Sequence, residues 1–177
     1  VRWFAPVLSF TADDIWKYIP GRRGESVFLE DWYAGLPAAE TRGIYSIDWD
    51  RIITIRDEVS KALERLRVAG TIGSALDAEI DIYCLKDDAR VLGHLKDELR
   101  FVLITSGARV HEVTVAPANV DTTGIERVWI KASPSSHRKC VRCWHHREDV
   151  GKNDKHAELC LRCVVNVDGP GEERLYA

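Results

Sequence analysis

Residues 139–163, KCVRCWHHREDVGKNDKHAELCLRC, decide the architecture of the C-terminal part of this chain. They contain two C-x-x-C pairs separated by sixteen residues. The four cysteines are Cys140, Cys143, Cys160 and Cys163. A C-x-x-C turn points both sulfurs to one side, so two such pairs supply the four corners of a tetrahedral zinc site. Four thiolates leave no position for water, and the pattern therefore predicts one structural Zn²⁺ ion and not a catalytic one.

Three histidines lie between the cysteine pairs, and none is predicted to bind the metal. His145 and His146 follow Cys143 too closely to complete a tetrahedron with it. His156 stands at a usable distance before Cys160, but four thiolates already fill the site. We expect all three to be polar surface residues or to form hydrogen bonds to the sulfurs. Disulfides are disfavoured because no signal peptide is visible, and an iron–sulfur cluster stays an alternative.

The same stretch carries a candidate surface for nucleic acid. Residues 138–162 hold seven Lys/Arg against four carboxylates. Arg142 and Arg162 lie inside the C-x-x-C turns, where side chains project outward, and Trp144 follows the second cysteine. An exposed tryptophan beside arginine is typical of a stacking platform for an unpaired base. We predict RNA contacts by Trp144 and Arg142, with Lys152 and Arg162 as weaker candidates; the alternative for Trp144 is packing against the zinc loop.

Composition limits the other possibilities. The 177 residues carry a net charge of −3, so the chain as a whole is not a basic nucleic-acid binder. No apolar run approaches the roughly 20 residues that span a bilayer, and we predict no membrane partner. The chain contains no methionine. We interpret it as a piece of a longer protein, to which its function belongs.

Upstream of the cysteines, the pattern predicts an α+β chain. Thr11 is predicted to cap a first helix, with Asp14 as the acidic partner of a capping box. Asp48 is predicted to cap a second helix that Gly70 ends. Cys84 is expected to be a small buried apolar residue. The remaining predicted elements are strands at 78–85, 108–116 and 125–132, a helix at 88–104 and a Pro/Ser linker at 133–139.

Several motifs resemble one family. The segment KCVRCWHHREDVGK, with HAELCLRCVVNV after it, resembles the C-terminal zinc knuckle of bacterial-type isoleucyl-tRNA synthetases. VRWFAPVLSFTADDIW resembles a helix pair of the anticodon-binding domain of that family, and GTIGSALDAEIDIY and DELRFVLITSGARV resemble its junction region. The resemblance divides the chain into three parts: 1–45, the end of a helical anticodon-binding domain; 46–135, an α+β junction domain; and 136–177, the zinc knuckle.

The resemblance implies a class I ligase that joins isoleucine to its tRNA with ATP in the cytoplasm. It implies that this piece recognises tRNA, and that its partners are the isoleucine-specific tRNA and the remainder of the synthetase. The class I signatures HIGH and KMSKS are absent from these residues, so activation and transfer are not carried over to them.

Two alternatives come from other functional classes. The first is a zinc-stapled module that docks onto its parent enzyme without touching RNA. The second is the C-terminus of a formamidopyrimidine-DNA glycosylase, which carries a similar two-pair finger. That finger follows a helix–two-turn–helix module, whereas here the cysteines follow strands and a Pro/Ser linker.

Overall fold

The computed structural model describes residues 1–35 and 48–176. The chain divides into two compact units, Val1–Arg42 and Gly43–Ala177. In the described ranges, no helix combines the length and the apolar composition that crossing a bilayer requires.

The first unit is built around helix α1, Ser9–Trp16, and a 3₁₀ turn at Val27–Leu29. Ala12 and Trp16 lie on one face of α1 and are buried. The prediction that Thr11 caps this helix is wrong. Backbone hydrogen bonds from Leu8 to Phe4 and from Ala12 to Leu8 already coil the chain before Thr11, so α1 begins at Ser9 and its N-cap residue is Leu8.

The second unit is a four-stranded sheet with helices, followed by the cysteine-rich module. Its helices are α2 Trp49–Val68, α3 Lys86–Gly93, α4 Leu99–Leu103 and α5 Leu161–Asp168. Its strands are β1 Ala78–Cys84, β2 Gly107–Glu112, β3 Asp121–Thr122, β4 Val128–Pro134, β5 Arg138–Lys139 and β6 His146–Arg147. The predicted α+β class, with a helical segment, a small mixed α/β domain and a four-cysteine zinc knuckle, is confirmed.

Helix α2 has the boundaries that its capping residues predict. The Asp48 side chain accepts a hydrogen bond from the Arg51 amide at 2.9 Å, which satisfies one of the free donors of the first turn. Gly70 has a φ of 69°, the left-handed conformation that glycine adopts after a helix end. The buried face of α2 packs into the core through Ile52, Ile55, Val59, Ala62 and Leu63.

The large sheet has the strand order β2-β1-β4-β3, with β1 parallel to β2 and antiparallel to β4. Alternate residues of β1 point into the core, and all four are fully buried: Ala78, Ile80, Ile82 and Cys84. This confirms that Cys84 is a small core residue.

The opposite face of β1 and β2 is polar. Arg109 donates to both carboxylate oxygens of Asp81 at 2.7 and 2.9 Å and to Glu79 at 2.6 Å. His111 also contacts Asp81, at 2.7 Å, and stacks on Tyr83 with ring centroids 4.6 Å apart. These cross-strand pairs fix the register of β2 against β1.

The single helix predicted over residues 88–104 is wrong. Helices α3 and α4 are separated by a 3₁₀ turn at Lys96–Glu98, in which Lys96 has a φ of 49°. A straight helix of that length would carry the chain about 25 Å away. The bend instead returns it to the start of β2, beside β1, and leaves Leu92, Leu95 and Leu99 in the core.

The predicted linker at 133–139 is also partly wrong. Ser133 and Pro134 are the last residues of β4, where Pro134 pairs with Ala78 of β1, and β5 begins at Arg138. These strand ends were not recognised from the sequence, because polar residues that face solvent are also typical of a linker. The cysteine-rich module therefore follows the sheet with only a short connection.

Candidate metal centre and nucleic-acid interface

The fold brings the four cysteine sulfurs into one cluster. All four Sγ atoms lie within 4.8 Å of one another, and those of Cys143 and Cys160 are 3.7 Å apart. Four sulfurs at about 2.3 Å from a central zinc would be separated by about 3.8 Å. Three of the four residues are buried, so water has little access to the cluster. This geometry fits one structural zinc ion.

Local backbone structure positions the two cysteine pairs. The Trp144 amide donates to the Cys140 carbonyl, and the Cys140 amide donates to the His145 carbonyl, both at 2.9 Å. These bonds close the first turn between β5 and β6. Cys160 precedes the first residue of α5, and its amide lies 3.3 Å from the Cys140 sulfur. A helix N-terminus favours the thiolate form that zinc requires, against the hydrogen bond to Cys143 and the burial that raise the pKa of Cys160.

Neighbouring groups also favour ionised sulfur at Cys143. A hydrogen bond from the Cys160 thiol lowers the pKa of Cys143 and outweighs the opposing effect of burial. Hydrogen bonds from His145 and Arg162 act in the same direction. The Arg142 guanidinium lies 3.6 Å from the Cys163 sulfur. Positive charge therefore surrounds a cluster that would be anionic with its metal.

None of the three histidines belongs to the sulfur cluster. His146 contacts the His137 carbonyl at 2.8 Å, and His156 contacts Asp168 at 2.7 Å. His145 is not the surface residue of one expectation, but its hydrogen bond to the Cys143 sulfur agrees with the other. It is buried, its Nδ1 donates to the Cys143 carbonyl at 3.2 Å, and its ring meets Phe101 edge-on at 5.6 Å.

Ser106 joins the cysteine-rich module to the sheet. It is 1% exposed, and its hydroxyl accepts a hydrogen bond from the His146 amide at 2.6 Å while its own amide bonds the Ala78 carbonyl at 2.9 Å. Arg147 donates to the Ser106 carbonyl at 3.3 Å. Strand β6 is thereby fixed against the start of β1 and β2.

A second junction forms around Phe101 of α4. The guanidinium groups of Arg100 and Arg174 each lie 4.0 Å from its ring centroid, and that of Arg162 lies 5.0 Å away. Arg162 also pairs with Glu172 at 2.8 Å. The expectation that the Arg162 side chain projects outward is therefore wrong: it turns into the groove between α4 and the C-terminal residues.

Trp144 has the placement that a stacking residue needs. Its side chain is 61% exposed although it directly follows a metal-ligand candidate. Its φ is 66°, in the left-handed region where glycine is the least strained residue. A bulky residue is held there at a conformational cost.

The other predicted contact residues take different positions. Arg142 is exposed, next to the Cys163 sulfur. Lys152 is exposed on the turn after β6. The structure thus leaves Trp144, Arg142 and Lys152 on the surface and draws Arg162 inward.

Sequence reasoning missed the roles of Lys139 and Ser106. Lys139 was only one of seven basic residues, and its ammonium lies over the Trp144 ring, 5.7 Å from the centroid. Its position beside Cys140 was the available signal. No pattern in the sequence marked Ser106 as the contact between two parts of the chain.

Comparison with known proteins agrees with this architecture. Residues 138–165 match the family described as zinc finger found in FPG and IleRS, and residues 1–82 match the anticodon-binding domain of tRNA ligases. An isoleucine–tRNA ligase of Nitrosococcus oceani is 52% identical over 100% of this chain. Those of Methylococcus capsulatus and Pseudoalteromonas atlantica are 51% and 48% identical over 99% and 100% of it.

The relatives that this chain matches are isoleucine–tRNA ligases, and the two matched families fit a C-terminal part of such an enzyme. The chain spans 19% of the length of each of these three relatives. These matches do not favour the glycosylase alternative, although the zinc-finger family is shared with that class. Together with the sulfur cluster, the match confirms the prediction of one structural zinc.

Proposed function

We propose that this chain is the tRNA-recognition part of an isoleucyl-tRNA synthetase, with the zinc knuckle reading the anticodon side of the isoleucine-specific tRNA. The parent protein would be a cytoplasmic ligase that joins isoleucine to this tRNA with ATP. Residues 1–45 would end its helical anticodon-binding domain, 46–135 would form the junction domain and 136–177 the zinc knuckle. The last two lie within one compact unit.

The observation that carries this proposal is the exposed Trp144 ring beside the zinc site. We assign Cys140, Cys143, Cys160 and Cys163 as the zinc ligands. Zinc on these thiolates would fix the backbone on both sides of Trp144 and hold the indole ready for an unpaired base. Anticodon bases are single-stranded and can be splayed out onto such a ring.

Basic side chains would hold the RNA backbone around this ring. Arg142 is the strongest candidate because it is exposed and two residues from Trp144. Lys152 is a weaker candidate on the neighbouring turn. Arg162 is the weakest, because a phosphate would have to replace Glu172 as its partner.

The structural docking module stays the second candidate, and the contacts of Ser106 and Phe101 favour it. These residues tie the zinc knuckle to the sheet and to α4, as a purely architectural clip would require. Such a clip, however, gives no reason for a strained, exposed tryptophan. The two functions differ in whether Trp144 matters for RNA binding.

Replacing Trp144 by alanine in the full-length synthetase tests the proposal. Loss of one stacked base costs about 1–3 kcal/mol, so tRNA affinity should fall about 5- to 150-fold. Isoleucine-dependent ATP–pyrophosphate exchange and zinc content should be unchanged. Filter binding with an isoleucine tRNA transcript gives the affinity.

Leu161→Ala provides a matched control, because Leu161 is an exposed apolar residue inside the other C-x-x-C turn. Its loss should leave tRNA affinity unchanged. If Trp144→Ala retains both zinc and full tRNA affinity, the zinc knuckle is a structural clip. If it loses zinc, packing of the indole against the loop is its role.

A further inference from the structure

The basic side chains of the zinc knuckle fall into two groups. Four are paired with carboxylates at 2.8–3.7 Å: Arg147, Lys155, Arg162 and Arg174. Within residues 1–35 and 48–176, four others make no ion pair with a carboxylate: Arg138, Lys139, Arg142 and Lys152. A polyanion that reaches the zinc knuckle can contact the second group without breaking an existing ion pair.

Lys139 is the member of this group that lies against the exposed aromatic ring. Its Nζ is over the Trp144 indole at 5.7 Å from the centroid, within the range of a cation–π contact. Within the described residues, Lys139 is the cation that lies over the Trp144 ring, and no aromatic ring stacks on it. The indole therefore has a cation beside it and still exposes most of its surface.

The backbone of both residues is tied to the metal centre. Lys139 directly precedes Cys140 and pairs with His146 across the β5–β6 ladder. Trp144 directly follows Cys143, and its amide is held by the Cys140 carbonyl. The same cysteine turn thus fixes the spacing between the ammonium and the indole.

We propose that Lys139 and Trp144 form a subsite for one nucleotide of single-stranded RNA. The base stacks on the indole, and the ammonium pairs with the phosphate of the same nucleotide. A nucleotide carries both a flat aromatic base and an anionic group, and the pair of side chains is complementary to both. This inference rests on the proposed tRNA-binding function and adds Lys139 as a phosphate contact of that site.

The salt dependence of tRNA binding by the full-length synthetase tests this subsite. One lost phosphate contact lowers the slope of log affinity against log salt by about 0.7 for a single strand, which is about fivefold in affinity at 0.1 M salt. We expect this change for Lys139→Met, which keeps the apolar stem and removes the charge. Lys139→Arg should restore both the slope and the affinity.

Lys155→Met is the matched control. Lys155 is an exposed lysine of the same zinc knuckle, but Asp168 neutralises it at 2.8 Å. Its removal should leave the slope unchanged. Zinc content, measured on each variant, should stay at one ion per chain.

Two results would overturn the subsite. In the first, Lys139→Met leaves the slope at the wild-type value. In the second, it lowers affinity with an unchanged slope, which would mean that the ammonium only supports the indole. Either result, combined with weaker binding by Trp144→Ala, leaves the proposed function standing; unchanged binding by Trp144→Ala would refute that function itself.

Discussion

At the scale of single residues, the zinc knuckle keeps a large side chain where the backbone favours glycine. Trp144 has a φ of 66° and an exposed ring. For an L-residue this conformation costs about 1–2 kcal/mol. The cysteine turn imposes the conformation, because the Trp144 amide must reach the Cys140 carbonyl. Stability alone would select glycine here.

A glycine substitution separates the loss of the Trp144 ring from the relief of the backbone strain at that position. Trp144→Gly should be about 1 kcal/mol more stable than Trp144→Ala, because both lack the ring and only glycine relieves the backbone. Both should bind tRNA equally weakly. Zinc retention against a graded series of chelator concentrations measures the stability. Lower zinc retention in the glycine variant than in the alanine variant would contradict this account.

At the scale of single residues, the sequence predicts only part of the zinc and RNA site. The ligand set follows from the spacing of four cysteines that are close in sequence. Whether a basic residue is available depends on distant partners. Glu172 pairs with Arg162, whereas Lys139 makes no ion pair within the described residues and interacts with Asp77 only at longer range. Charge pairing across the fold is not encoded in local spacing, so the two residues could not be told apart.

At the scale of elements, local rules succeed where one pattern dominates. Strand β1 alternates and is buried on one face, and α2 carries both its caps. Local rules fail where tertiary contacts determine the path of the backbone. Helix α1 begins before Thr11 because the preceding turn is already coiled, and the segment between α3 and α4 bends because β2 must return beside β1.

The polar face of the sheet gives an element-scale prediction about pH. The hydrogen bond from Arg109, assisted by His111 against the effect of burial, lowers the pKa of Asp81. A lowered pKa contributes stability above the ordinary value of 3.8 that is lost as the pH falls through the folded-state pKa. Arg109→Met should therefore destabilise β1 and β2 at pH 7 and have a smaller effect at about pH 3.

Hydrogen exchange of the β2 amides at the two pH values measures this difference. Lys131→Met is the control, since Lys131 faces Asp81 from β4 in the strand register and makes no ion pair within the residues described. Its effect should depend on pH much less than that of Arg109→Met, because Lys131 makes no hydrogen bond to Asp81. An Arg109→Met effect of equal size at both pH values would show that the arginine acts through packing alone.

At the scale of the whole molecule, the described residues of the unit Gly43–Ala177 form two apolar clusters of unequal size. The larger lies between the sheet and its helices. The smaller consists of three cysteines and Val150, with Cys143 and Leu159 at its edge. So small a cluster cannot hold a fold by burial alone, and a structural zinc contributes on the order of 10 kcal/mol to such a module.

Removing the metal should therefore unfold only part of this unit. Cys143→Ser or chelation should expose residues from about 137 to 170, while the core around Ile80 and Ile82 stays protected, because its apolar contacts do not involve the metal. Hydrogen exchange by mass spectrometry resolves the two regions. Cys84→Ala is the complementary control, because it should destabilise the larger core and leave zinc binding unchanged. Joint unfolding of both regions on chelation would mean that the clusters are one cooperative unit.

The burial of Cys84 has a chemical consequence for work with this chain. Burial raises its pKa to about 11, so a reagent that attacks thiolates finds almost none at that position in the folded state. The other four thiols would be masked by zinc and not by the core. Alkylation therefore reports two different events on one chain. Four labels mark loss of the metal, and a fifth marks opening of the sheet.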